Sequence, residues 1–176
     1  MDMAKIRETV AEKSVRSNIL VVGDVMLDKY YSGEVTRISP EAPVPITHVT
    51  GTHETLGGAA NVAHNLALLR TNVSIAGYVG EDAHCKSLLE KFAARGIDYA
   101  GLVRTDRPTT TKIRIIGGHQ QMLRLDFEDA SPIDGDDAQQ YLSYIDKKLN
   151  ESMDCVIISD YGKGACTEFA CQHIIR

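Results

Sequence analysis

Asn18-Ile19-Leu20-Val21-Val22-Gly23-Asp24 is a short apolar, β-branched run closed by a turn signal, which predicts a buried strand. The same pattern returns at residues 73–79 and 155–158, and helical patterns lie around these runs. After Gly57-Gly58, the residues Ala59, Val62, Ala63 and Leu66 recur at i, i+3, i+4 and i+7, giving one apolar helix face. Glu81-Asp82 opens a second helix, where acids suit the positive end of the dipole. Cys85, Leu88, Leu89 and Phe92 line its core side, Lys91 and Arg95 sit in its last turn, and Gly96 is the stop. Asp134 caps a third helix with Ala138, Tyr141, Leu142, Ile145 and Leu149 on one face, and another begins at 167–175. Strands alternating with helices predict an α/β sandwich around a mostly parallel central sheet.

Two stretches break this alternation. Residues 29–49 carry Tyr30, Tyr31, Pro40, Pro43 and Pro45 and end in a β-type run, 46–49, so a poorly buried flap of short strands is expected there. Residues 110–116 and 120–127 predict a hairpin in which Lys112, Arg114, Arg124 and Asp126 alternate with Ile113, Ile115, Leu123, Leu125 and Phe127. A two-residue Gly117-Gly118 turn would pair Lys112 with Leu123. A three-residue loop, Gly117-Gly118-His119, pairs Lys112 with Arg124 and Ile113 with Leu123. Only the longer loop keeps one face apolar, so it is the expected register. It sets two cations opposite each other, which is unfavourable unless Asp126 or a bound anion offsets them.

The 176 residues suffice for one domain with its own core. With 43% hydrophobic and 24% charged residues, the composition is that of an ordinary globular protein. A formal charge of −5 and the absence of a basic run argue against nucleic-acid and anionic-membrane partners. No run reaches the ~18 apolar residues of a membrane span. Residues 1–16 are too charged for a secretory signal, so a cytoplasmic location is expected. Cys85, Cys155, Cys166 and Cys171 form no CxxC pair, and Cys85 and Cys155 read as core thiols; no metal site is expected.

Two further segments carry chemistry. Gly57-Gly58-Ala59-Ala60-Asn61 opens a helix with bare backbone N–H groups and an amide that both donates and accepts. That suits a polyhydroxylated or anionic ligand, or else a closely packed helix start. In Gly23-Asp24-Val25-Met26-Leu27-Asp28, carboxylates follow the first strand where open α/β sheets bind ligands. The alternative there is a solvated acidic turn. The scattered histidines have no acid or nucleophile partner fixed by spacing.

These segments together resemble the N-terminal pattern of the ribokinase/PfkB sugar kinases: Gly-Asp-x-x-x-Asp at 23–28, a proline-rich flap, and Gly-Gly-Ala-Ala-Asn-Val-Ala at 57–63. The phrases at 23–30 and 38–45, and Asp160-Tyr161-Gly162-Lys163-Gly164, are similar to the heptose 7-phosphate kinase domain of bacterial ADP-heptose synthesis enzymes. The resemblance implies a ribokinase-like three-layer sandwich with a small β lid, an N-terminal extension at 1–17, and the kinase domain from residue 18 onward, its C-terminal half missing. It implies that Asp28, Gly58 and Asn61 hold the sugar hydroxyls, that Gly57-Gly58 allows close approach of the backbone, and that Asp160 lies near the sugar and the metal-linked phosphate. Lys112, Arg114, Arg124 and Lys163 are the candidates for a sugar phosphate, with the choice among them open. The family's Gly-Ala-Gly-Asp motif, whose Asp is the base, does not occur in these 176 residues. No catalytic residue is therefore expected here: the base is expected beyond Arg176, and ATP and Mg²⁺ are expected to need the longer enzyme. A homodimer through the lid strands is the expected assembly; a non-catalytic sugar-phosphate binder is the alternative reading.

Overall fold

The computed structural model describes residues 17–175. The expected extension at 1–17 lies outside these except for Ser17. Arg176, beyond which the base is expected, also lies outside the described residues. The chain runs β1 (Asn18–Gly23), β2 (Val25–Ile38), β3 (Pro45–Gly57), α1 (Gly58–Leu68), β4 (Asn72–Gly80) and α2 (Ala83–Ala93). It continues with β5 (Asp98–Thr105), β6 (Thr111–Gly117), β7 (Gln120–Phe127), α3 (Gly135–Leu149), β8 (Cys155–Ser159) and α4 (Glu168–Ile175).

The strands form two sheets. The central one has the order β5-β4-β1-β8 and is parallel throughout. β1 sits in its interior, so both faces of the opening run are buried: Val21 joins the core under α1 and α2, while Leu20 and Val22 join the core under α3 and α4. Helices on both faces of the sheet make the three expected layers. Asp82 caps α2, accepting the Cys85 amide at 2.8 Å. Its other carboxylate oxygen accepts the Thr109 amide at 2.8 Å, and Thr109 Oγ1 accepts from the Gly80 amide at 2.9 Å, pinning the root of β6 to the end of β4. Burial works against ionisation of Asp82, but these amides outweigh it and hold its pKa below the usual carboxylate range.

The flap strands are long. β2 and β3 have 14 and 13 residues, with Pro45 at the start of β3, where no ladder donor is lost. The hairpin β6–β7 joins them in one sheet of order β3-β2-β6-β7, β6 pairing in parallel with β2. β5 has no clear sequence signature, because Tyr99, Gly101 and Arg104 break any alternation; it is an edge strand with a bulge opposite β4.

Cys85 is core, at 2% exposure, but Cys155 is exposed, contrary to the sequence reading, because it begins β8, the last strand of the described sheet. Burial pushes the Cys85 thiol up, and burial together with the charge of Asp24 pushes Cys166 up to about 12. Iodoacetamide on the native protein should therefore label Cys155 first and Cys85 only on unfolding. Peptide mass mapping over time checks this, and equal rates at the two would contradict the packing.

Candidate functional site

The site is built at the C-terminal ends of β1, β4 and β8, where β2 rises from the central sheet into the lid. Asp28, on β2, lies opposite Thr55 of β3 and Lys112 of β6. Its Oδ1 accepts from Arg114 Nη1 at 2.5 Å. Its Oδ2 lies 2.6 Å from where a Cβ on Gly57 would stand, so the first glycine of the pair makes room for this carboxylate. Arg114 also lies over the Tyr30 ring, 5.2 Å from its centroid. The hydrogen bond from Arg114 to Asp28, partly opposed by burial, raises the Arg114 pKa above its ordinary value. One oxygen of Asp28 is thus held by a cation, and the other is turned toward the glycine pair.

The hairpin register differs from the expected one. Lys112 lies opposite Asp126, Ile113 opposite Leu125, Arg114 opposite Arg124, and Ile115 opposite Leu123. The turn is the two-residue Gly118-His119, with Gly118 at φ +60 as a tight hairpin needs. Such a turn alone would set cations against leucines. The irregularity between Ile115 and Ile116 leaves Met122 unpaired, and that extra residue restores the separation of faces. The apolar and charged faces are therefore as expected, but the cations that face each other are Arg114 and Arg124. Each has its own acid: Arg114 takes Asp28, and Arg124 Nε donates to Asp126 Oδ1 at 2.8 Å.

Lys112, Arg124 and Lys163 are linked through two carboxylates. Lys163 Nζ meets Glu128 Oε1 at 2.8 Å; Glu128 and Asp126 lie 3.4 and 3.0 Å from Lys112 Nζ; Asp126 takes Arg124. Glu128 is held below its usual pKa first by the hydrogen bond from Lys163, then with the help of Lys112. Burial opposes ionisation of Asp126, but Arg124 and Lys112 outweigh it. Glu128 was missed in the sequence, although it continues the polar alternation of Arg124 and Asp126.

Gly58 and Asn61 lie in the first turn of α1, beside Asp24, whose carbonyl accepts the Ala59 amide at 2.9 Å. Asn61 is exposed, and its Oδ1 accepts from Asn65 Nδ2 at 3.5 Å. Asp160, just past β8, is exposed and its Oδ1 accepts the Gly162 amide at 2.8 Å. Asp24 is different from these: it is 3% exposed and all its contacts are internal.

A carboxylate beside a double-glycine helix start, under a four-stranded lid, is thus the arrangement the chain presents. Residues 16–176 match the pfkB family carbohydrate kinase profile. The chain belongs to the pfkB family of carbohydrate kinases. This pfkB chain is 45% identical over 168 residues to the bifunctional protein HldE of Wolinella succinogenes, covering 95% of the chain and 35% of that protein. It is 48% identical over 158 residues to the HldE of Methylobacillus flagellatus, covering 89% of the chain and 32% of that protein. It therefore spans about a third of the length of these relatives. The fold of the tetrameric inhibited form of phosphofructokinase-2 from Escherichia coli superposes with a TM-score of 0.64 at 17% identity, over 90% of this chain and 50% of that one. The ribokinase-like fold is thus shared with that solved structure, and no described helix is long and apolar enough to cross a membrane.

Proposed function

We propose that this chain forms the sugar side of a kinase that phosphorylates a sugar already carrying a phosphate. The substrate is most specifically D-glycero-β-D-manno-heptose 7-phosphate, converted to the 1,7-bisphosphate on the way to ADP-heptose and the lipopolysaccharide core in the cytoplasm. The observation that carries this is the charged lid face. Four cations, Lys112, Arg114, Arg124 and Lys163, stand against three carboxylates, Asp28, Asp126 and Glu128, beside a carboxylate oxygen turned toward the glycine pair. The likeness to HldE proteins supports the heptose assignment.

In this reading, Asp28 Oδ2 and the Asn61 amide take sugar hydroxyls, and Gly57 and Gly58 allow close approach of the backbone. An incoming phosphate displaces Asp126 or Glu128 from the lid cations, a swap of one anion for another that costs little desolvation. Asp160 lies at the edge of the same space. The lid excludes water, which would otherwise compete as phosphoryl acceptor. ATP supplies the phosphoryl group and Mg²⁺ the charge screening. Among the site's carboxylates, Asp28, Asp126 and Glu128 are paired with cations, while Asp160, among the described residues, accepts only a backbone amide. In this reading ATP, Mg²⁺ and the base belong to the longer protein, since the chain spans about a third of the length of its HldE relatives. The outer face of the lid carries Leu123, Leu125 and Phe127 at 50%, 41% and 45% exposure, and a second copy of the chain covers it in a homodimer.

The test is ADP release by the chain extended to the length of its HldE relatives, with heptose 7-phosphate and with heptose. Turnover that requires the 7-phosphate is expected, and the 176-residue chain should bind the phosphosugar without turnover. Binding without turnover by both proteins would instead establish a non-catalytic binder, and no binding by either would reject the site.

A further inference from the structure

Asp24 is a carboxylate with no cation partner among the described residues, yet it is 3% exposed. Its charge is met by backbone. Oδ2 accepts the amides of Tyr161 at 2.7 Å and Lys163 at 3.1 Å, and Oδ1 accepts the amide of Ala165 at 3.1 Å. Alternate amides converge because Gly162 and Gly164 between them have φ of +66 and +95, the sign alternation of an anion-binding nest. Here the nest is filled by the protein's own carboxylate. The backbone of the same residue holds two other elements: its amide donates to Ser159 O at 3.1 Å, and its carbonyl accepts the Ala59 amide at 2.9 Å. One buried residue thus joins the end of β8, the N-terminus of α1 and the loop at 160–165. Lys163 leaves that loop to reach Glu128 at 2.8 Å.

We propose that Asp24 is a positioning residue: its carboxylate fixes the loop that presents Asp160 and Lys163, while its carbonyl fixes the helix start that presents Gly58 and Asn61. The role in substrate binding rests on the kinase reading above; the clamp itself does not. Three amides aimed at two carboxylate oxygens leave no tolerance for an amide group, since Asn would turn donor hydrogens toward one or two backbone N–H groups.

The experiment is Asp24→Asn in the 176-residue chain and in the longer enzyme. Amide hydrogen exchange in the short chain should quicken at least about tenfold at Tyr161, Lys163 and Ala165, the loss of one charge-assisted bond, while Val21 and Ile75 stay protected. In the longer enzyme, the KM for the phosphosugar should rise about tenfold or more with the KM for ATP unchanged, and Lys163→Met should cost much less in the Asp24→Asn background than alone. If Asp24→Asn does not fold, Gly162→Ala serves. That position is open to solvent with nothing within 4 Å, so the change strains only the loop and should produce the same pattern more weakly. Unchanged exchange in the loop would overturn the clamp. Quickened exchange with an undiminished cost of Lys163→Met would overturn the positioning role and leave Asp24 as core structure. Quickened exchange in a protein whose wild type shows no phosphosugar turnover would uphold the clamp and reject only the kinase reading.

Discussion

Replacing Gly58 with alanine is expected to destabilise the protein by on the order of 3 kcal/mol or more. Gly58 has φ +53, a left-handed conformation that costs an L-residue about 1–2 kcal/mol by itself. The larger part is contact: a Cβ there would lie 2.3 Å from the carbonyl oxygen of Asp24 and 3.0 Å from the Met26 side chain. The oxygen is backbone and already accepts the Ala59 amide, so it cannot swing away without releasing the start of α1. Gly96→Ala is the matched control: φ is +66, but nothing lies within 4 Å of its added Cβ, so only the strain of about 1 kcal/mol remains. Urea denaturation of the two variants measures the difference. Equal midpoints would mean that the helix start yields freely and that the double glycine is there for a ligand alone.

That second glycine shows how much of this site the sequence discloses. Gly57-Gly58 reads as close approach of a ligand to backbone, and the structure shows close approach of protein to backbone as well: Asp28 over Gly57 and the Asp24 carbonyl over Gly58. The strands of the central sheet and the helices over them are legible because each buries a continuous face, and burial is what periodicity records. β5 is not, because Tyr99, Gly101 and Arg104 break its alternation although Leu102 and Val103 pack into opposite cores. Cys155 is misread because its strand looks buried while its place at the edge of the described sheet is a matter of topology. The hairpin faces are legible from alternation, but the register is not. A bulge at Met122 shifts it without altering any hydrophobic count, so sequence arithmetic that assumes a regular ladder goes wrong. By spacing alone Asp24 and Asp28 are equal candidates, and the family resemblance picks out Asp28. The anchoring role of Asp24 rests on the converging amides of the loop at 160–165, more than a hundred residues away in sequence.

The corrected register sharpens the test of the lid cations. Arg114 and Arg124 face each other, but their acids separate them: Arg114 is bound to Asp28 and largely covered, whereas Arg124 is 50% exposed and, among the described residues, paired with Asp126 alone. Arg124 is thus the cation freest to exchange its carboxylate for a phosphate. In the longer enzyme, Arg124→Gln should raise the KM for the phosphorylated sugar roughly ten- to hundredfold, the worth of a charge-assisted contact of about 1.5–3 kcal/mol. The unphosphorylated sugar should be affected much less, and stability hardly at all, since exposed ion pairs contribute little to folding. Arg114→Gln should behave differently, because it releases Asp28: binding of both sugars should weaken together. Steady-state kinetics on the two variants with the two sugars gives four comparisons. An Arg124→Gln loss equal for both sugars would remove the phosphate from this face of the lid. An Arg114→Gln loss confined to the phosphorylated sugar would exchange the roles of the two arginines.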